Sequence, residues 1–122
     1  MTTSSGELVH LLGADDWAAA SSGAEYRPAS LAKVGFVHLS TPEQVHLPAN
    51  RIFAGRTDLI LLYLSRDRLA SPLRWEPGVA GDPDGMLFPH LYGPIPIGAV
   101  TSITPYLPGQ DGLFGPAGTS ST

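Results

Sequence analysis

A chain of 122 residues with 43% hydrophobic and 15% charged residues, no cysteine and a net charge of −4 has the composition of one compact domain. It is too short for two domains, too apolar for a disordered or coiled-coil chain, and too acidic for a general nucleic-acid binder. The missing cysteines exclude a disulfide scaffold, a thiolate nucleophile and a cysteine-ligated metal, and no apolar run approaches the roughly 20 residues of a membrane span.

Met1 to Gly6 lacks the basic start and apolar stretch of a secretory signal, so a cytoplasmic protein is expected. Leu8 to Leu12 reads as a short buried strand with Gly13 as the break after it. Asp15 or Asp16 is placed to cap a helix through Trp17 to Ala20, which Gly23 ends. Tyr26-Arg27-Pro28 is extended, because the residue before a proline avoids the helical region. One helical turn is expected at Ser30 to Lys33. A second strand follows over Gly35 to Ser40, with Phe36, His38 and Ser40 on one face and Val37 and Leu39 on the other.

Thr41-Pro42-Glu43-Gln44 has the pattern of a capping box with proline at the first helical position. It predicts a helix from Thr41 towards Phe53, kinked or broken at Pro48 and closed by Gly55. Leu59 to Leu64 is continuously apolar, the pattern of a strand buried on both faces. Leu73 to Glu76, Phe88 to Tyr92 and Val100 to Tyr106 are shorter strand candidates between proline and glycine turns. Residues from Gly109 onward are small, polar and glycine-rich and predict a frayed tail. The reading is a single α+β domain over residues 7–114, with disordered tails at 1–6 and 115–122.

Charge is unevenly spread. Between residues 27 and 76, seven Lys and Arg residues meet four carboxylates, a local charge of +3, and no basic residue lies outside that segment. Such a centre suits a site for one or two phosphates, although arginines also solvate ordinary surfaces. Three of the four histidines, His10, His38 and His90, sit inside apolar strand-like runs. A buried histidine needs hydrogen-bond partners, so three of them predict one shared concave pocket, with Ser40 and Tyr92 nearby. No pair has a recognised metal-ligand spacing, and no metal site is expected. No nucleotide-binding glycine loop and no serine-hydrolase motif occurs. Arg56 and the Arg74-Trp75-Glu76 run remain as candidates. An arginine with histidines holds phosphate by charge-assisted hydrogen bonds, and a glutamate stabilises a cationic carbon or takes a proton. Arg56 could equally serve a helix C-terminus, and Glu76 could simply pair with Arg74.

Taken in order, several blocks form a familiar series: Val9-His10, Trp17, Tyr26-x-Pro28-x-Ser30-Leu31, Gly35-Phe36-Val37-His38-x-Ser40-x-x-x-Gln44, Asn50-x-x-Phe53-x-Gly55, Leu73-Arg74-Trp75-Glu76 and Phe88-Pro89-His90-Leu91-Tyr92-Gly93-Pro94. The series resembles the bacterial domain of unknown function 952 family over about residues 7 to 114. That family has no established activity, and it is similar in fold to the ADP-ribosyltransferase group, with split sheets around a cleft. The resemblance implies NAD, ADP-ribose or another phosphorylated small molecule as ligand. It implies His10 as the first-strand residue on the ribose and His38 with Ser40 as the second-strand pair. Glu76 or His90 is the third member, although the chain lacks the acidic strand-start motif of active transferases.

In all, His10, His38 and Glu76 are the catalytic candidates, and His10, Ser40, Arg56, His90 and Tyr92 the ligand-binding ones. A relative in the group moves a phosphate from RNA to NAD with histidine and arginine, which His10, His38 and Arg56 would imitate. Two functions follow as expectations: a transferase acting on NAD, or a non-catalytic ligand-binding or interaction module that keeps the cleft without the chemistry.

Overall fold

A computed structural model describes residues 7–79, 82–83 and 85–117. In chain order its elements are β1 (Leu8–Gly13), α1 (Ala14–Ala20), β2 (Glu25–Tyr26), α2 (Ala29–Val34), β3 (Val37–His38), α3 (His46–Ile52), β4 (Leu59–Leu64), β5 (Leu73–Pro77), β6 (Leu87–Leu91), β7 (Ile95–Pro96) and β8 (Val100–Pro105), with 3-10 turns at Arg66–Arg68 and Ile97–Ala99. The strands form three antiparallel sheets, β1-β4-β8, β3-β6-β5 and the small pair β2-β7. This is the α+β class expected from the mixture of short helices and strands.

β4 is apolar throughout because both of its faces are covered. Leu62 and Leu64 join Leu8, Leu12, Val37, Leu39, Leu91 and Ile95 in a core between the two larger sheets. Leu59 and Leu61 point the other way, into a core with Val9, Val45, Ala49, Tyr106 and Phe114. Each fully buried leucine stabilises the fold by roughly 1.5–3 kcal/mol. The first core therefore fixes how the sheets face each other, and the second fixes α3 on the back of β1 and β4.

Residues 37–40 join the two larger sheets. Val37 and His38 pair with Leu91 and His90, and the Leu39 N–H donates to the Pro89 carbonyl at 3.0 Å. Two residues on, Ser40 and Val9 exchange backbone hydrogen bonds of 2.9 and 2.8 Å, an isolated bridge to β1. The strand expected over Gly35 to Ser40 is thus shorter than its pattern. Gly35 takes a left-handed conformation (φ 88°), and its N–H closes α2 on the Leu31 carbonyl. The alternation of side chains nevertheless holds through Ser40.

Three local expectations need correction. Gly13, not an aspartate, occupies the N-cap of α1, and Asp15 and Asp16 lie in the first turn, where they complement the helix dipole. The second concerns α3. The Thr41 N–H does donate to Gln44 Oε1 at 3.1 Å, half of the predicted box. The helix, however, begins only at His46. Pro48 then falls in the first turn, where a missing N–H is tolerated. The Gln44 carbonyl that a residue at 48 would have bonded accepts the Leu47 N–H instead, at 3.1 Å.

The third is the C-terminal segment. Residues 109–117 are packed, not frayed: Phe114 is buried against Tyr106, and the Ala117 N–H donates to the Pro42 carbonyl at 2.8 Å. Asn50 of α3 clamps the segment. Its Nδ2 donates to the Phe114 carbonyl at 3.0 Å, and its Oδ1 accepts the Phe114 N–H at 2.7 Å. The remaining tail expectations, 1–6 and 118–122, lie outside the described residues.

Asn50→Ala removes both bonds at once and is expected to cost about 1–3 kcal/mol. Thermal unfolding should fall by several degrees, and limited proteolysis should cut residues 109–117 while the rest stays protected. An unchanged melting temperature and cleavage pattern would show that the clamp holds nothing.

Candidate functional site

Strand alternation places Phe36, His38 and Ser40, then Arg74 and Glu76, then Phe88, His90 and Tyr92 on one face of the β3-β6-β5 sheet. Register puts His38 opposite His90, and His90 opposite Arg74. Their rings meet as cross-strand neighbours do. His90 stacks on Phe36 with centroids 4.0 Å apart and planes 16° apart, and His38 meets His90 edge-on at 5.6 Å. Phe36 also touches Tyr92, at 5.3 Å.

This face lines a cleft closed from the other side by α3 and the segment after β5. One lobe, of about 210 Å³, is bounded by Phe36, Phe88, His90, Pro77 and Val79. A second, of about 260 Å³, reaches His10, Ser30, Ile52 and Phe53. His38, Ser40, Pro48, Arg51 and Val79 line both, so the lobes meet at a polar waist. The three strand histidines therefore share one cleft without sharing one chamber: His90 lies in the first lobe, His10 in the second and His38 between them.

Each histidine has a distinct electrostatic setting. His10 is buried, and its Nδ1–H donates to the His38 backbone carbonyl at 2.9 Å. Burial pushes its pKa down to about 4, so the ring is neutral at physiological pH. His38 is exposed at the waist, and partial desolvation with His90 and Arg51 nearby lowers its pKa. His90 is buried with Nδ1 2.8 Å from Glu76 Oε1, and the same oxygen accepts the Tyr92 O–H at 2.6 Å. The hydroxyl and the imidazole, in that order, hold the Glu76 carboxyl below its usual range, while the carboxylate raises the Tyr92 pKa. Arg74 sits 5.2 Å over the Tyr92 ring.

Glu76 and Tyr92 line neither lobe; Glu76 reaches the cleft through His90, and Tyr92 touches it through Phe36. Arg56 also stands outside it. Its Nε and Nη2 bind Asp58 at 2.8 and 2.5 Å, and its guanidinium lies 5.2 Å from the Phe53 centroid. The cation that does line both lobes is Arg51, whose Nη1 donates to Asp82 at 2.7 Å. Arg51 is absent from the sequence-based candidates, and the kink or break expected at Pro48 leaves its direction open. Placed on one helix, Pro48 and Arg51 are three residues apart and share a face. Among the described residues no cluster of three or more His, Cys, Asp or Glu side chains is arranged to hold a metal ion. None of their helices is long and apolar enough to cross a membrane.

An α+β domain with a histidine-lined cleft between one face of a sheet and a helix is the class that fold and site define. The chain belongs to the family described as protein of unknown function (DUF952), which it matches over residues 11–103. It is similar to protein CC0527 from Caulobacter crescentus. The crystal structure of that protein aligns with a TM-score of 0.73 at 30% identity, over 88% of this chain and 91% of that one. A crystal structure of a double variant of CC0527 aligns at 0.73 with 29% identity, over the same shares of each chain. Its solution NMR structure aligns at 0.72 with 30% identity, over 88% and 90%. No curated protein matches the chain.

The depressed pKa of His10 sets a pH dependence of stability. In the unfolded chain the ring protonates near pH 6.5, whereas in the fold it stays neutral to about pH 4. Its contribution is complete above pH 6.5, declines as pH falls from there towards 4, and then levels off. Between pH 7.5 and 4.5, wild type should lose about 2–3 kcal/mol more than His10→Asn, measured by urea unfolding. Equal losses in the two proteins would show that His10 protonates in place.

Proposed function

We propose that the cleft binds a phosphorylated small molecule of nucleotide type, such as ADP-ribose or NAD, in the cytoplasm. The observation that carries this reading is the waist, where Arg51, His38 and Ser40 line both lobes. Asp82 engages one guanidinium nitrogen, so the remaining Arg51 donors are left for an anion. Ser40 offers a hydroxyl and His38 a ring N–H. An anion at the waist would also offset the Arg51 charge that helps lower the His38 pKa. The lobes on either side then take the non-phosphate parts of the ligand. His10 on β1, with His38 on β3 and Ser40 just beyond it, supports an ADP-ribosyltransferase-like arrangement as part of this proposal.

Glu76 favours binding over glycosyl transfer. A transferase of that kind needs a carboxylate facing the ribose carbon, where it stabilises developing positive charge. Here the carboxylate is committed to His90 and Tyr92 and lines neither lobe. We therefore propose a ligand-binding module ahead of an NAD-using transferase. Hydrolysis of NAD by wild type, slowed a hundredfold in Glu76→Gln, would establish the transferase instead.

ADP-ribose at a hundredfold excess over Kd should stabilise wild type by about 2.7 kcal/mol, read as a raised melting temperature. Arg51→Gln should remain folded and bind at least tenfold more weakly, the loss of about one charge-assisted hydrogen bond. No shift with millimolar ADP-ribose or NAD, in protein shown to be folded, would refute the proposal, as would unchanged affinity in Arg51→Gln.

A further inference from the structure

The first lobe carries a second constraint that the waist does not explain. Its volume of about 210 Å³ is below the roughly 300–1,000 Å³ of sites that enclose a whole drug-sized ligand. It is a place for one ring system. Phe36, Phe88, Pro48, Pro77 and Val79 make most of its wall apolar, which suits the faces of a planar ring. Away from the waist the polar side chains in that wall are Asp82, whose oxygens accept from Arg51 and the Val79 N–H, and His90. Three contacts orient His90: the stack on Phe36, the edge contact with His38, and the bond to Glu76.

The partner on Nδ1 decides what His90 can recognise. An ionised carboxylate only accepts hydrogen bonds. Glu76 Oε1 accepts one from Tyr92 at 2.6 Å, and the His90 contact of 2.8 Å to the same oxygen requires the proton on Nδ1. In a neutral ring this leaves Nε2 with a lone pair, on a residue that lines a mostly apolar chamber. His10 follows the same rule, its Nδ1–H being spent on a backbone carbonyl. A ligand atom that is itself only an acceptor would leave two lone pairs facing each other out of water.

We infer that the first lobe is a base pocket that selects a planar heteroaromatic ring carrying an exocyclic N–H donor, with His90 Nε2 as the acceptor and Glu76 and Tyr92 as positioning residues. This deepens the nucleotide reading above and rests on it. The class it names is a 6-aminopurine or a ring carboxamide attached to a phosphorylated sugar. The ring lies between the walls formed by Phe36 and Phe88, and the phosphate meets Arg51 at the waist.

The test compares adenosine 5′-monophosphate with purine riboside 5′-monophosphate, which lacks only the 6-amino group. Both are titrated at pH 8, above the ordinary histidine range. Wild type should bind the amino nucleotide at least tenfold more tightly, because the acceptor goes unmet in the analogue. His90→Phe keeps a ring against Phe36 but removes Nε2, and should bring the ratio close to one. Nitrogen-15 NMR of wild type should show His90 protonated at Nδ1 and bare at Nε2, a readout independent of whether the variant folds. Equal affinities in wild type, a ratio that persists in His90→Phe, or the opposite tautomer would each overturn the inference. If the two nucleotides bind equally and Arg51→Gln weakens both, the phosphate site stands and the base pocket falls. If neither binds folded wild type, both readings fall.

Discussion

The backbone of residues 37–40 is the constraint on which the cleft depends. It pairs with β6 on one side through Val37, His38 and Leu39, and with β1 on the other through Ser40. Two sheets that share no strand are thereby held at one spacing. The side chains that alternate along that segment are divided between the core and the cleft. Val37 and Leu39 turn into the core beneath, while His38 and Ser40 turn into the cleft. The His38 carbonyl then takes the His10 imidazole, tying a side chain of the first sheet to the backbone of the second. The hydrogen bonds that assemble the fold are the same ones that space the site.

That arrangement divides the polar residues by purpose. His10 and His90 are buried and tethered through Nδ1, one to a carbonyl and the other to a carboxylate, so their orientation is set before any ligand arrives. The His38 ring makes no side-chain hydrogen bond of that kind; it rests against Phe36 and His90 and is exposed at the waist. Arg51 comes from a helix anchored to the opposite core by Ala49 and Asn50. The tethered imidazoles stand at the two ends of the cleft, and the exposed His38 and Arg51 sit in the middle.

Much of this was legible in the sequence, for physical reasons that differ by element. Leu59 to Leu64 announced burial on both faces because no polar residue interrupts it, and the two cores are what cover it. Phe36, His38 and Ser40 could be assigned a common face from the two-residue period alone. The direction of Arg51 is not legible from a helix expected to kink or break at Pro48. Whether a proline disrupts a helix depends on where the helix begins, and the Thr41–Gln44 signal placed that start too early. The packing of residues 109–117 was hidden for another reason. Glycine-rich composition describes a segment without regular structure but not whether it is docked. The docking residue, Asn50, lies 64 positions from its partner. Arg56 illustrates the reverse case: Asp58, two residues on, holds its guanidinium outside the cleft.

The two-sided burial of β4 leaves one problem that its own side chains do not solve. A strand with leucines on both faces can slide by one residue and still present leucines to both cores, so hydrophobicity alone does not choose its alignment. The choice falls to its neighbour β1, where His10 stands opposite Leu62. Were the slip taken up by β1, the imidazole would turn into the core of Val9, Val45 and Phe114, away from the carbonyl that satisfies it, and the unmet polar group would penalise that pairing. The same histidine that borders the cleft thus disfavours any pairing of the central sheet in which β1 is turned over.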